Sequence, residues 1–272
     1  LGQEIDWIGF HIAHTPQSVT AEIKGGYMED LLNITERIRS MNIVPRKVLQ
    51  SYAGKCSHVA NLLFAWKPYL EPFWAALYTH KPSRAFKRGI WRKQIEQALF
   101  WVHAFLSKSQ GALSRTWLLS AYLNQGTAIT MTLDASPWGL GGVLEISGVL
   151  KAYFASRLTM TDTRILKAKV GDSKSQQTFE LLCILVALRA WLHQWRLHRV
   201  LVRIRSDNLA ALVGAARLKG KAGLILREIS YVYTEASFEP ALCEHIPGVC
   251  NVLADRLSRL HEPGAAEQKP AN

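Results

Sequence analysis

From Ala128 onward, apolar and polar side chains take turns: Ile129, Met131 and Leu133 alternate with Thr130, Thr132 and Asp134. That period of two marks a half-buried strand. GGVLEI and KAYFASRL continue as two more strands, folded back at Ser147-Gly148. A basic, polar loop from Lys167 to Lys174 leads to Ser175, a residue suited to cap the long helix QQTFELLCILVALRAWLHQW. VLVRIRSD returns to strand, NLAALVGAARL and GLILREISYVYTEA to helix, ALCEHIP to strand and NVLADRLSRL to helix. This order predicts a mixed α/β domain, a five-stranded mixed sheet with helices packed on its faces.

The first half reads differently. DWIGFHIA and VTAEI predict short strands around a turn at His14–Ser18, ending at Gly25-Gly26. From Tyr27 the spacing becomes helical, with Met28, Leu31, Leu32 and Ile38 on one face, and Pro45 opens a second helix carrying Val48, Leu49, Tyr52 and Cys56. Trp66, Trp74 and Tyr78 follow in an aromatic stretch that Pro68 and Pro72 should break, then the amphipathic IEQALFWVHAFL and a polar stretch from Ser107 to Ser114. The main boundary is expected near Asn124–Thr127, with a mainly helical region of residues 1–126 before it. The sheet domain should span 127–262, followed by a disordered tail over 263–272.

Charge adds a direction. The 272 residues carry a net charge of +12, which favours a polyanionic partner because Lys and Arg neutralise phosphates and release their counterions. Lys81, Arg84, Lys87, Arg88, Arg92 and Lys93 cluster around Phe86 and Trp91. They read either as a phosphate track with a stacking residue or as a solvated helix face. The four cysteines form no CxxC pair, which fits reduced thiols in an intracellular protein (cytoplasm or nucleus). Cys243, His245 and Cys250 lack the fourth ligand and spacing of a zinc site. The longest apolar run, Leu181–Leu188, stops at Arg189, too short to span a bilayer, so no membrane partner is expected. LGQEIDWIGF, without an initiator Met, reads as a chain cut from something larger.

The candidate chemistry lies in carboxylates. Asp134 closes the first strand of the second half and Asp207 the fourth; Glu180 stands near the start of the long helix and Asp255 inside the last one. Open sheets gather ligands at the carboxyl ends of parallel strands, so neighbouring strands would present Asp134 and Asp207 side by side. Converging carboxylates repel one another unless a cation neutralises them. An all-oxygen set with open positions selects Mg²⁺ or Mn²⁺, a chemistry suited to phosphodiester cleavage.

Four motifs carry a resemblance. TLDASPWGLGGVL resembles the first-strand motif of retroelement ribonuclease H domains, QTFELLCILVALRAW their glutamate helix and RSDNLAAL their third-acid motif. HIPGVCNVLADRLSR is similar to the ending of gypsy-type and DIRS-type retrotransposon enzymes. The four acids, Asp134, Glu180, Asp207 and Asp255, stand in the family's order, 46, 27 and 48 residues apart. Upstream, DWIGFHIA resembles the strand after a polymerase palm, and VLQSYAGKCSHVANLLFAWKPYLEPFWAALY resembles thumb and connection helices. Residues 1–80 would then be the end of the palm and the thumb, and 81–126 connection helices. No YxDD polymerase motif is present, and YMED at Tyr27 is not one.

The resemblance implies a ribonuclease H-like fold and a two-metal endonuclease that hydrolyses the RNA strand of RNA–DNA hybrids. Asp134 would be shared by both Mg²⁺ (or Mn²⁺) ions, Glu180 and Asp207 would complete the set, and Asp255 would hold the nucleophile-side ion. His245 takes the place of a mobile histidine that assists product release, or else simply ends its strand. Ser136, Gly141, Asn208 and Asn251 would contact the hybrid, with Gly139 and Gly142 allowing close backbone approach or merely forming a tight hairpin. Partners would be the hybrid and the upstream fingers and palm of the same polyprotein. Two departures stand out: RLKGK (Arg217–Lys221) replaces the basic helix some cellular enzymes use, and Lys167–Lys174 lengthens the approach to Glu180. An idle hybrid-binding fragment is the alternative reading, and an integrase- or resolvase-type nuclease a third.

Overall fold

A computed structural model describes residues 4–63, 66–78, 89–109, 113–123, 125–196, 202–220, 222–236 and 242–265. The chain divides into two compact units, Leu1–Trp117 with Tyr233–Phe238, and Leu118–Val232 with Glu239–Asn272.

In the first unit, β1 (Glu4–Trp7), β2 (Phe10–His14) and β3 (Ser18–Ile23) form an antiparallel meander that β6 (Ser114–Leu118) extends at the β3 edge. Helices α1 (Gly25–Arg39), α2 (Arg46–Leu62), α3 (Lys67–Tyr78) and α4 (Arg92–Leu106) pack together, with β4 (Ile43–Pro45) and β5 (Gly89–Trp91) paired beside them. Their spacing delivers Leu31, Ile38, Leu49, Tyr52, Phe73, Ile95 and Leu99 to one core. Inside it the Thr35 and Tyr52 hydroxyls hydrogen-bond at 2.7 Å. One expectation changes here. Pro72 does not break the aromatic stretch: α3 runs through it, and Pro68 sits in its first turn, where its missing N–H has no partner to lose. From Ser114, at the end of the Ser-rich segment, the chain forms β6, held by Ile23 N donating to Leu113 O at 3.2 Å and by the Thr20–Thr116 hydroxyl pair at 3.0 Å.

The second unit opens on the short α5 (Leu119–Tyr122) and then builds the sheet. Strands β7 (Ile129–Ala135), β8 (Gly139–Ile146) and β9 (Val149–Arg157) form an antiparallel meander. The β8–β9 turn places Ser147 and Gly148 at φ of 52° and 76°, the left-handed pair that a two-residue hairpin needs. β10 (Val202–Ser206) runs parallel to β7, and β11 (Leu242–His245) parallel to β10. The order β11-β10-β7-β8-β9 is the five-stranded mixed sheet that the pattern implies.

Two helical groups cover it. α7 (Gln176–Ala190) packs on β7, β8 and α9 (Leu209–Arg217), while α11 (Val252–Arg259) packs on β7, β8 and β9. α10 (Gly223–Glu235) completes the helices with α6 (Met160–Leu166) and α8 (Leu192–Trp195). The long helix is interrupted at Trp191, whose ring packs on Phe154 at 5.2 Å, and α8 follows as a separate turn. α7 buries a broad arc of its surface, including Phe179, Leu181, Cys183, Ile184 and Leu188. That suits a helix buried on several sides.

The β8 glycines are steric necessities. A Cβ on Gly141 would lie 2.2 Å from Ala254 O and 2.5 Å from Ser258 N, and one on Gly139 would lie 2.7 Å from Ser258 O. These obstacles are backbone, so α11 itself would have to lift. Gly141→Ala should therefore cost about 1–3 kcal/mol or more in urea unfolding, whereas Gly54→Ala in α2, with nothing within 4 Å of the new methyl, should be neutral or stabilising by up to about 1 kcal/mol. Equal effects from the two changes would contradict this packing.

Candidate active site

β7 and β10 are parallel neighbours, so their carboxyl ends lie at one edge of the sheet. Asp134 is the sixth residue of β7, and Asp207 directly follows β10. α7 runs across β7 and carries Glu180 in its second turn. Carboxylate oxygens of Asp134, Glu180 and Asp207 all lie within 4.8 Å of one another, the first two residues buried and the third half-buried. Three acids far apart along the chain thus meet at one edge.

The surroundings hold each acid in place. Ser258 donates its hydroxyl to Asp134 Oδ2 at 2.6 Å, and Asn251 Nδ2 donates to Leu133 O at 3.0 Å and reaches Asp134 Oδ1 at 3.4 Å. Gln176, one turn before Glu180, donates from Nε2 to Glu180 Oε1 at 3.0 Å and to Ala135 O. The Cys183 thiol donates to Asp134 O at 3.1 Å, tying α7 to the end of β7. His245 ends β11, and its Nε2 lies 2.9 Å from Asp207 O, bracing the backbone that carries the third acid.

Burial and like charge act together on this cluster. Burial, reinforced by Asp207 and Asp255 and opposed by the Ser258 hydrogen bond, raises Asp134 to about 6. Glu180 is pushed to about 8, chiefly by burial and then by the Asp134 charge. Acids that resist ionisation this strongly are short of a counter-charge, and among the described residues no lysine or arginine acts on Glu180. Asn251 Oδ1, on the amide that touches Asp134, is buried without a hydrogen-bond partner. An all-oxygen, carboxylate-rich donor set with a spare buried carbonyl beside it fits a hard divalent cation such as Mg²⁺ or Mn²⁺.

The other candidate residues are placed as follows. Asp255 is not one of the three clustered acids; it pairs with Arg259 Nε at 2.7 Å, one helical turn away, yet its charge still acts on Asp134. Ser136 turns inward: its hydroxyl accepts from the backbone N–H of Trp138 and Gly139 and donates to Ser258 O at 2.8 Å. Gly141 lies beneath α11, and the Asn208 side chain caps α9 by accepting from Ala211 N at 3.0 Å. Arg92 and Lys93 begin α4, with Arg92 paired to Glu96 at 2.6 Å. Trp91, at the end of β5, is 43% exposed. Lys81, Arg84, Phe86, Lys87 and Arg88 lie outside the described residues, as does most of the expected tail. Cys243 and Cys250 are free thiols, and among the described residues the acidic trio alone has metal-ligand proximity.

Ser258, Gln176 and Arg259 went unnoticed in the sequence. Gln176 had a local signal, since i and i+4 share a helix face. Ser258 had only its place one turn after Asp255 on an apolar face, and its partner lies 124 residues away. Ser258→Ala should cost about 1.5–3 kcal/mol, as expected for a buried hydrogen bond to an ionised group. Most of that loss should vanish in an Asp134→Ala background, which a double-mutant cycle in urea would reveal; a coupling below about 0.5 kcal/mol would contradict the contact.

No protein-family model matches the sequence, and no curated protein matches it. Among solved structures, the chain is similar to RNase H1 from the halophilic archaeon Halobacterium salinarum NRC-1, with 18% identity and a TM-score of 0.35 over 52% of this chain and 99% of that one. It is also similar to the foamy viral protease-reverse transcriptase dRH in complex with double-stranded DNA, with 17% identity and a TM-score of 0.33 over 90% of this chain. The same viral protein in complex with RNA/DNA hybrid gives 16% identity and a TM-score of 0.31 over 91%. The chain spans 38% and 30% of the length of those two viral chains.

Proposed function

We propose that this chain is a divalent-cation-dependent ribonuclease that hydrolyses the RNA strand of RNA–DNA hybrids, and that it is the C-terminal part of a gypsy- or DIRS-type retrotransposon reverse transcriptase. The observation supporting this most is the meeting of Asp134, Glu180 and Asp207 oxygens within 4.8 Å at the carboxyl ends of two parallel strands. Two Mg²⁺ or Mn²⁺ ions held there would supply the Lewis acidity that phosphodiester hydrolysis requires.

The chain's own residues do the remaining work. Asp134, fixed by Ser258, offers oxygens at the centre of the cluster, and Glu180, fixed by Gln176, approaches from α7. Asp207 completes the trio from a backbone braced by His245. Asp255 would join on release from its ion-pair partner Arg259. His245, exposed and at the strand end, would serve product release by leaving Asp207 O. Ser136, Gly141, Asn208 and Asn251 would support hybrid binding by shaping the turns and helix ends around the cluster. Residues 1–80 would be the end of the palm and the thumb and 81–126 the connection helices, with Lys81, Arg84, Lys87, Arg88, Arg92 and Lys93 binding phosphates.

The test is cleavage of a hybrid labelled on its RNA strand. Mg²⁺ or Mn²⁺ should permit cutting, EDTA should stop it, and Asp207→Asn should abolish it. Hybrid binding without cutting under either cation would favour the idle fragment, and preferential cutting of duplex or branched DNA would favour a nuclease of the integrase or resolvase kind.

No helix of the described residues is long and apolar enough to cross a membrane.

A further inference from the structure

Between β9 and α7 the chain makes an excursion that the strand-and-helix pattern represents only as a basic loop. Arg157, at the end of β9, pairs with Gly139 of β8, and two residues on, Gly141 pairs with Asp134. The excursion therefore leaves the sheet at the carboxylate edge, two strands from β7, or roughly 10 Å at the usual strand spacing. It returns through Ser173–Ser175 to the first turn of α7, the helix that carries Gln176 and Glu180.

The excursion is tied to the first-acid motif. Leu158 N donates to Trp138 O at 3.0 Å, and Gly171 N, at φ of 81°, donates to Pro137 O at 2.9 Å. Thr159 and Asp162 form a reciprocal capping box that starts α6. Asp172 accepts from Lys174 N at 3.0 Å, and Ser175 accepts from Lys169 N at 3.2 Å. Both acids of residues 157–175 thus face the backbone.

Its bases do the opposite. Arg157, Arg164, Lys167, Lys169 and Lys174 are all exposed, and among the described residues none of the five side chains has a hydrogen-bond or ion-pair partner. By contrast, Arg189 pairs with Glu228, and both Arg203 and Arg205 share Glu244. An open concavity of about 400 Å³, lined by Met160, Thr161, Thr163, Arg164 and Ala168, borders α6. Five unpaired cations on a braced scaffold, beside a cluster suited to phosphodiester chemistry, form an electrostatic track for a phosphate backbone.

We propose that residues 157–174 form a phosphate-backbone grip for the same RNA–DNA hybrid, docking it across the carboxylate edge; this rests on the ribonuclease reading above. Binding there positions the substrate and reads no sequence, because contacts to phosphates set register and not base identity. It also answers the lack of a longer basic helix after α9, where only RLKGK stands.

The experiment replaces Arg164, Lys167, Lys169 and Lys174 by Gln together in the full chain, and measures hybrid binding against salt alongside steady-state cleavage. The slope of log Kobs against log[salt] should become shallower by about 3, from about 0.7–0.9 per phosphate contact, and KM should rise at least about tenfold. The thermal shift produced by Mn²⁺ should not change, since no carboxylate has been touched. A charge-keeping variant (Lys167→Arg, Lys169→Arg, Lys174→Arg) should bind like the parent, which excludes a folding artefact. Unchanged salt slope and KM in a Gln variant whose parent cuts hybrid would overturn this inference alone. A parent that neither binds nor cuts hybrid would overturn the ribonuclease reading and this one with it. Binding of the segment to phosphatidylserine vesicles, with hybrid binding unaffected by the changes, would assign the patch to a membrane surface and also overturn it.

Discussion

Asp134→Asn should reduce hybrid cleavage by at least about 10²–10³-fold, the scale lost when one fixed charge is removed from around a transition state, and at the same time stabilise the metal-free protein. The two effects share one cause. Asp134 sits with only 5% of its surface exposed, and burial and neighbouring acids raise it from an ordinary 3.8 to about 6. At pH 8 its ionised form therefore opposes folding by about 3 kcal/mol. Asparagine removes the charge and keeps an oxygen for the Ser258 hydroxyl, giving up only the long 3.4 Å contact from Asn251. In a unit of this size the thermal midpoint should rise by several degrees. The midpoint shift produced by Mn²⁺ should shrink in the same variant. A buried acid serving structure alone would behave in the reverse way, losing stability and sparing catalysis, so calorimetry and a cleavage assay on one variant separate the two roles. Full cleavage by the Asn variant would remove Asp134 from the site.

What the chain order made readable was whatever depends on local period. Alternation in Ile129–Asp134, the Ser147-Gly148 turn and the helical runs fix elements within themselves, and two parallel strands ending in acids fix where a site must lie. Residues whose meaning is long-range were not readable. Ser258 has no local reason to be a serine, because its partner is on another element. Gly141 looks like any hairpin glycine until α11 is seen to cross it. Between these extremes lies α6. The Thr159-Met-Thr-Asp162 capping box was present in the chain, but its helix is 7 residues long, too short for a period of 3.6 to stand out from a loop. Ser175 shows the same limit from the other side. It occupies the cap position of α7, yet its hydroxyl takes Lys169 N and no helix N–H, since the preceding turn already satisfies the helix start. The same holds for Asp255: its position in the last helix was clear, but its pairing with Arg259 depends on which rotamer the free charge prefers when no cation competes.

The metal-free protein should lose stability as pH rises from about 5 to 9, and divalent cations should restore it, more strongly the higher the pH. The sign follows from the two raised acids. Glu180, ordinarily near 4.5, is held at about 8, and Asp134 at about 6. Both therefore bind protons more tightly in the folded chain than in the unfolded one. Their favourable contribution is complete below the ordinary values and disappears as pH climbs through 6 and then 8. Because the two charges repel each other, the losses are not independent, and together they amount to several kcal/mol. A cation takes the place of the protons on the same oxygens, so it competes poorly at pH 5 and well at pH 8.5. At a hundredfold excess over its dissociation constant it should add about 2.7 kcal/mol. Groups elsewhere titrate over this range too, including half-buried His11, which Asp6 raises. The quantity to follow is accordingly the difference between the parent and Glu180→Gln, in which the slope between pH 6 and 9 should flatten. Buried acids pressed together without a counter-charge should respond to protons and Mn²⁺ as alternatives; a Mn²⁺ shift of equal size at pH 5.5 and 8.5 would mean that the cation binds elsewhere, and the trio would then be an electrostatic defect with no cation to relieve it.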